Sequence, residues 1–174
     1  MRMNEGVEWA LHSCLNLAWI GPERAVTAAR LAAYHELPAA YLNKQLQALV
    51  RAGLLTSVSG PKGGFRLARG LDRITLMDVV TALEGPEEAF RCTEIRQQGP
   101  GAGSGAGAGS RPGSGAGPAG GNAPECAIAG AMGRADLAWR RELAAQTLDS
   151  VRERAERQAP DAPDRIRRWF ANVG

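Results

Sequence analysis

Apolar residues recur at helical spacing in three successive windows of the first fifty positions, give way to two short apolar runs around a glycine-rich tip, and then return to helical spacing. The first window predicts a helix over Asn4 to Trp19, with Val7, Leu11, Cys14, Leu15 and Ala18 along one stripe. The second predicts a short amphipathic helix over Ala28 to His35, and Glu36-Leu37-Pro38 then makes a tight connection. In the third, Leu42, Leu46, Leu49 and Val50 share a core-facing side while Lys44, Gln47 and Arg51 fall opposite. Pro38 suits the first turn of that helix and Gly53 its C-terminal cap. Leu54 to Ser59 and Phe65 to Ala68 read as two strands around Gly60-Pro61-Lys62-Gly63-Gly64. Thr75, with Asp78 three positions on, caps a fourth helix that passes through Val79 and Val80 and stops at Gly85-Pro86. The expected fold class is mainly α with a small β wing: a winged helix-turn-helix.

Beyond this the pattern breaks. Residues 99–124 contain 11 glycines and a single charge, Arg111, a composition that cannot bury enough surface to fold by itself. A helical segment follows over Ala127 to Met132, and then a long helix is expected from about Ala135 to Gln158. Its row of Leu137, Ala144, Leu148, Val151 and Ala155 is interrupted by Arg141. No other helix of matching length is available to cover that row, so the expected partner is the same helix of a second subunit, in a two-fold homodimer. A last helix, about Asp164 to Asn172 with Ile166, Trp169 and Phe170, is expected to pack over that dimer. The organisation expected is therefore a DNA-binding domain over 1–90, a region carrying cysteines and the glycine-rich loop over 91–132, and dimerisation and C-terminal helices over 133–174.

The net charge of +3 decides little, but its distribution does. Residues 37–71 hold no Asp or Glu, and Lys44, Arg51, Lys62, Arg66 and Arg69 all lie there. An uncancelled basic face on a helix-turn-helix and wing points to double-stranded DNA, with binding that weakens steeply with salt. Two half-sites in a palindromic operator follow if the chain is a two-fold dimer. No stretch has the apolar length of a membrane span and no signal peptide precedes Glu5, so a cytoplasmic protein is expected. Phosphate loops, nucleophile constellations and acid/base pairs other than a Glu/His couple are missing, which argues against an enzyme.

The three cysteines, Cys14, Cys92 and Cys126, are odd in number and widely spaced, so they do not form a disulfide framework. Cys14 falls on the core stripe. Cys92 and Cys126 flank the glycine-rich loop, and its length raises the entropy of bringing them together by only roughly 1 kcal/mol over a dozen-residue loop. Two thiolates fill neither a tetrahedral zinc site nor both irons of a 2Fe-2S cluster, so two further ligands are needed. Of the two histidines, His12 has Glu8 one helical turn before it, a couple that is either a ligand pair or an ordinary surface pair. His35, at the helix-turn-helix corner, suits a capping or packing role.

These features together resemble the winged-helix iron-sulfur regulators related to IscR and NsrR, and most nearly the redox-sensing branch of that family. The resemblance is carried by Gly6-Val7-Glu8-Trp9-Ala10-Leu11-His12, Tyr41-Leu42 with Lys44-Gln45, and Gly63-Gly64-Phe65. It continues in Ile74-Thr75-Leu76 with Asp78-Val79-Val80, in Phe90-Arg91-Cys92-Thr93-Glu94-Ile95-Arg96-Gln97, and in Cys126-Ala127-Ile128-Ala129 with Ala131-Met132-Gly133. Commoner members carry three cysteines in this region, whereas here only Cys92 and Cys126 occupy it. The resemblance implies a 2Fe-2S cluster held by Cys92 and Cys126 of one protomer and by Glu8 and His12 of the partner subunit. It implies DNA contacts from Tyr41, Asn43, Lys44 and Gln47 in or beside the major groove, with Ser59, Pro61 and Lys62 at the wing. Histidine ligation raises the potential of such clusters, so a centre cycling between oxidised and reduced forms, with differing DNA affinity, is the function implied. Something beside the cluster must then take two positions; Trp9 is the bulkiest candidate, although a fixed core aromatic is the other reading of it.

Three alternatives stay open on the residues alone. Cys92 and Cys126 could form a cluster-free disulfide switch. A structural zinc site would be colourless and redox-inert. An enzyme is the alternative of a different class.

Overall fold

The computed structural model describes residues 3–88, 90–93, 95 and 126–172. The glycine-rich loop expected over 99–124, and Glu94, Arg96 and Gln97 of the motif before it, lie outside the described residues. The element order is α1 (Glu5–Ile20), α2 (Ala28–Tyr34), α3 (Ala39–Arg51), β1 (Leu55–Val58), β2 (Gly64–Leu67), a 3-10 turn (Leu71–Arg73), α4 (Leu76–Glu84), α5 (Ala127–Ala145), α6 (Leu148–Gln158) and α7 (Ala162–Ala171). Met1–Glu87 with Trp139–Gly174 form one compact unit, and Glu88–Ala138 a second.

In the first unit, α1, α2, α4 and α6 start where a side chain takes up an orphan amide, whereas α3 and α7 start without one. Asn4 Oδ1 accepts from Gly6 N–H at 2.9 Å to open α1, and Thr27 Oγ1 accepts from Arg30 N–H at the start of α2. Thr75 and Asp78 form a reciprocal capping box on α4, with bonds of 3.1 and 2.8 Å. Glu36, at φ 54°, turns the chain between α2 and α3. β1 and β2 pair antiparallel with Leu55 opposite Leu67 and Val58 opposite Gly64. A bridge between Val26 and Phe65, bonded both ways at 2.8 and 2.9 Å, ties the wing to the segment before α2. Only glycine fits at position 64: its φ is 141°, and a Cβ there would lie 2.3 Å from the carbonyl carbon of Val26.

The core gathers Ala10, Cys14 and Leu17 of α1 with Leu31, Leu42, Leu46, Leu49, Leu54, Ile74 and Val79. Each fully buried leucine contributes about 1.5–3 kcal/mol relative to an exposed one. Leu148 and Phe170, both wholly buried, join the same core.

One expectation is corrected. The long helix from Ala135 to Gln158 is two helices: α5 begins at Ala127, taking in the Ala127 to Met132 segment, and ends at Ala145, while α6 restarts at Leu148. The physical cause is Thr147, whose Oγ1 caps Ser150 N–H and whose backbone bridges to Thr75. Leu76 N–H donates to the Gln146 carbonyl at 2.9 Å and Leu148 N–H donates to the Ile74 carbonyl at 2.8 Å, so the Gln146 carbonyl and the Leu148 amide are engaged by the segment before α4 rather than by a continuous helix. Leu148 consequently packs in its own protomer's core and not along an intersubunit row. The last helix likewise packs within the protomer: Trp169 and Phe170 of α7 meet Tyr34 of α2 at 5.1 and 5.4 Å between ring centroids, and Ile166 joins the core.

Candidate functional site

α3 carries the residues expected to meet DNA, and its burial follows its period. Leu42, Gln45, Leu46 and Leu49 face inward, while Asn43, Lys44 and Arg51 are exposed and Gln47 is half-buried. Ser59, Pro61 and Lys62 are exposed at the wing tip. Arg66 is steadied on the wing by a 3.3 Å bond from its Nε to Thr56 Oγ1. No described acidic group forms an ion pair with Lys44, Arg51, Lys62 or Arg66; Arg69 meets Asp78 at 3.8 Å.

Tyr41 is more constrained than a free groove-facing side chain. Its hydroxyl donates to Asn4 Oδ1 at 2.9 Å, and its ring meets Trp9 edge to face at 5.2 Å. Gly6 lets α1 come this close to α3, since a Cβ there would lie 2.8 Å from the Gln45 side chain. The start of α1 and the start of α3 are thus joined by one polar and one aromatic contact.

Glu8 and His12 project from the exposed side of α1, one turn apart. They line an open groove of about 400 Å³ together with Met3, Leu11, Leu15 and Val151. Neither makes a hydrogen bond or ion pair to another described residue, and both are exposed. His35 lies 5.7 Å from His12 between ring centroids. It behaves as the packing residue expected at the corner: Asn16 Nδ2 donates to its Nε2 at 2.8 Å, and burial, followed by the nearby His12, holds its pKa below the ordinary value. A neutral ring accepting a hydrogen bond is consistent with that direction.

Cys14 is wholly buried in α1, and burial pushes its thiol up to about 12, so it is a core residue. In the second unit Cys92 is exposed and Cys126 half-buried. The Cys126 carbonyl accepts from Gly130 N–H at 2.9 Å, placing this thiol at the N-terminal end of α5, where the helix favours negative charge. Among the described residues of either unit, no three His, Cys, Asp or Glu side chains gather as a metal site. By donor type alone, thiol, imidazole and carboxylate groups are all ligands that iron-sulfur centres can take.

Sequence reasoning overlooked Arg24 and Arg30, which converge beside the wing. Both lie outside the acid-free stretch, and their shared acceptor, the Phe170 carbonyl, is more than a hundred positions away. No local pattern signals that contact.

No described helix is long and apolar enough to cross a membrane. The chain is 39% identical over 84 residues to BadM of Rhodopseudomonas palustris, named as an HTH-type transcriptional regulator, covering 48% of this chain and 53% of that one. It thus spans about half the length of that curated relative. Its fold is similar to the structure of CymR, the global cysteine regulator of B. subtilis, with a TM-score of 0.62, 22% identity, and 88% of this chain and 97% of that chain covered. It is also similar to T. potens IscR, with a TM-score of 0.63, 18% identity and 91% of each chain covered. The family model described as Rrf2, iron-dependent transcriptional regulator, matches residues 3–154, which is most of the sequence. A helical fold with a two-stranded wing, the HTH arrangement and this match agree: the chain belongs to the Rrf2 family of transcriptional regulators and is not an enzyme.

Proposed function

We propose that this protein is a cytoplasmic redox sensor of the family's redox-sensing branch, binding a palindromic operator in double-stranded DNA as a homodimer. A 2Fe-2S cluster is held by Cys92 and Cys126 of one protomer and by Glu8 and His12 of the partner subunit. The observation that carries this reading is the exposed pair of Glu8 and His12, aligned on one face of α1 over an open groove with neither side chain bonded elsewhere. A core histidine would be enclosed, whereas this imidazole and carboxylate stay accessible to a ligand.

When bound, the cluster supplies a redox couple whose potential is raised by imidazole in place of thiolate. The protein's part is to convert a change at Glu8 and His12 into a change at α3. Trp9 lies between those two residues and its ring meets Tyr41 edge to face, so a shift of the α1 start is felt at the recognition helix. On this reading Tyr41, Asn43, Lys44 and Gln47 address the major groove, and Ser59, Pro61 and Lys62 the adjacent backbone or minor groove.

The test is the visible spectrum of anaerobically purified protein before and after dithionite, with iron and sulfide assayed on the same sample. Two irons per protomer and reversible bleaching support the reading, and Glu8→Ala and His12→Ala are then expected to lose or alter the spectrum. Colourless, iron-free protein whose DNA affinity still changes on oxidation would transfer sensing to a Cys92 and Cys126 disulfide, which the exposure of Cys92 permits. Redox-dependent DNA binding that is unchanged in Trp9→Ala would remove Trp9 from the mechanism.

A further inference from the structure

Between the start of α2 and the tip of the wing lies a groove of about 770 Å³, lined by Arg24, Thr27, Arg30, Pro61 and Lys62, with Glu23 the one carboxylate among the described residues. Arg24 Nη2 donates to the Phe170 carbonyl at 2.5 Å, and Arg30 Nη2 donates to the same oxygen at 2.7 Å. Two guanidinium groups therefore converge on one carbonyl in the last turn of α7, where the helix end carries partial negative charge, and no described carboxylate lies within ion-pairing reach of either. Arg30 also stacks over the Phe170 ring, 5.7 Å from its centroid, and its buried Nε has no partner. Glu23 and the end of α7 offset the three cationic side chains of the groove only in part, so a bound anion would relieve their mutual repulsion.

We propose that this groove is a seat for a DNA backbone phosphate, with Arg24 and Arg30 as its cations. This rests on the DNA-binding reading above and extends it to residues outside the recognition helix and wing. The occupant is argued from continuity and charge. Pro61 and Lys62 belong at once to this groove and to the expected wing contact, and the helix preceding a recognition helix crosses the DNA backbone. Each guanidinium has five N–H donors, of which the carbonyl uses one, so both keep donors for phosphate oxygens. The Thr27 hydroxyl already accepts from Arg30 N–H and keeps its own proton to donate. The seat is held in place by the Val26 to Phe65 bridge on one side and by the end of α7 on the other.

The experiment measures affinity of the full-length protein for a mixed-sequence duplex of about 30 base pairs across a series of salt concentrations, because phosphate contacts are independent of sequence. Arg24→Gln and Arg30→Gln are each expected to weaken binding about 3- to 10-fold at low salt and to reduce the salt slope by about one, with Arg24→Lys retaining most of the slope. Arg24 is exposed, so its variant is expected to fold even if Arg30→Gln does not. Unchanged affinity and slope in folded Arg24→Gln would overturn the seat. Wild-type protein that binds neither this duplex nor genomic DNA at low salt would overturn the DNA-binding reading itself.

Discussion

A thiol's surroundings decide its chemistry, and the three cysteines here occupy three different ones. Cys14 is enclosed by the core, and its raised value of about 12 against 9.0 means that an unfolded chain releases this proton first. Its contribution to stability is therefore intact below about pH 9 and is lost as pH rises toward 12. The thermal midpoint of wild-type protein should fall more steeply above pH 9 than that of Cys14→Ala, and iodoacetamide should alkylate Cys92 well before Cys14. A matching alkaline slope in the two proteins would remove Cys14 as the cause. At the DNA face, Lys44→Ala should weaken binding and lower the salt slope by about one, and an unchanged slope would mean that α3 docks differently. Much of this was legible from residue positions: a cysteine on an apolar stripe is a core cysteine, and a lysine opposite a leucine row is exposed. The tether from Tyr41 to Asn4 was not, because it links residues 37 positions apart through one side-chain oxygen.

At the scale of elements, boundaries marked by Gly, Pro or a capping residue came out within a residue or two, whereas the break between α5 and α6 was missed. Gln146-Thr147 contains no helix breaker, and the apolar row runs across it. A signal was present nonetheless: Thr147-Leu148-Asp149-Ser150 resembles Thr75-Leu76-Met77-Asp78, and the two caps bridge each other. Thr147→Val keeps the shape and removes the oxygen that accepts from Ser150 N–H, so it should cost about 1 kcal/mol of stability, read from urea unfolding. Gly64→Ala should cost more, on the order of 3 kcal/mol, because its Cβ meets the Val26 backbone and its φ is left-handed. It should also unseat the wing and weaken DNA binding, and a fully stable variant with normal binding would show that the bridge to Val26 is dispensable.

For the whole molecule, the proposed cluster site raises the question of whether one chain or two would supply its ligands, since Glu8 and His12 belong to one compact unit and Cys92 and Cys126 to the other. Leu148 is spent on the protomer's own core, so an intersubunit contact must draw on other residues. α5 offers Ile128 and Met132, 66% and 42% exposed and nearly aligned one turn apart. Complementation between two inactive variants separates the possibilities. A Glu8→Ala/His12→Ala chain and a Cys92→Ala/Cys126→Ala chain each lack half the ligands, so neither alone should hold a cluster. If ligands come from two protomers, every mixed dimer regains one intact site of its two, and random pairing should restore about a quarter of the wild-type iron. If all four ligands came from a single chain, every site in the mixture would be defective and no iron would return. Ile128→Lys with Met132→Lys should then suppress the restored iron while leaving the first unit's unfolding midpoint in place, because these side chains lie outside the winged-helix core.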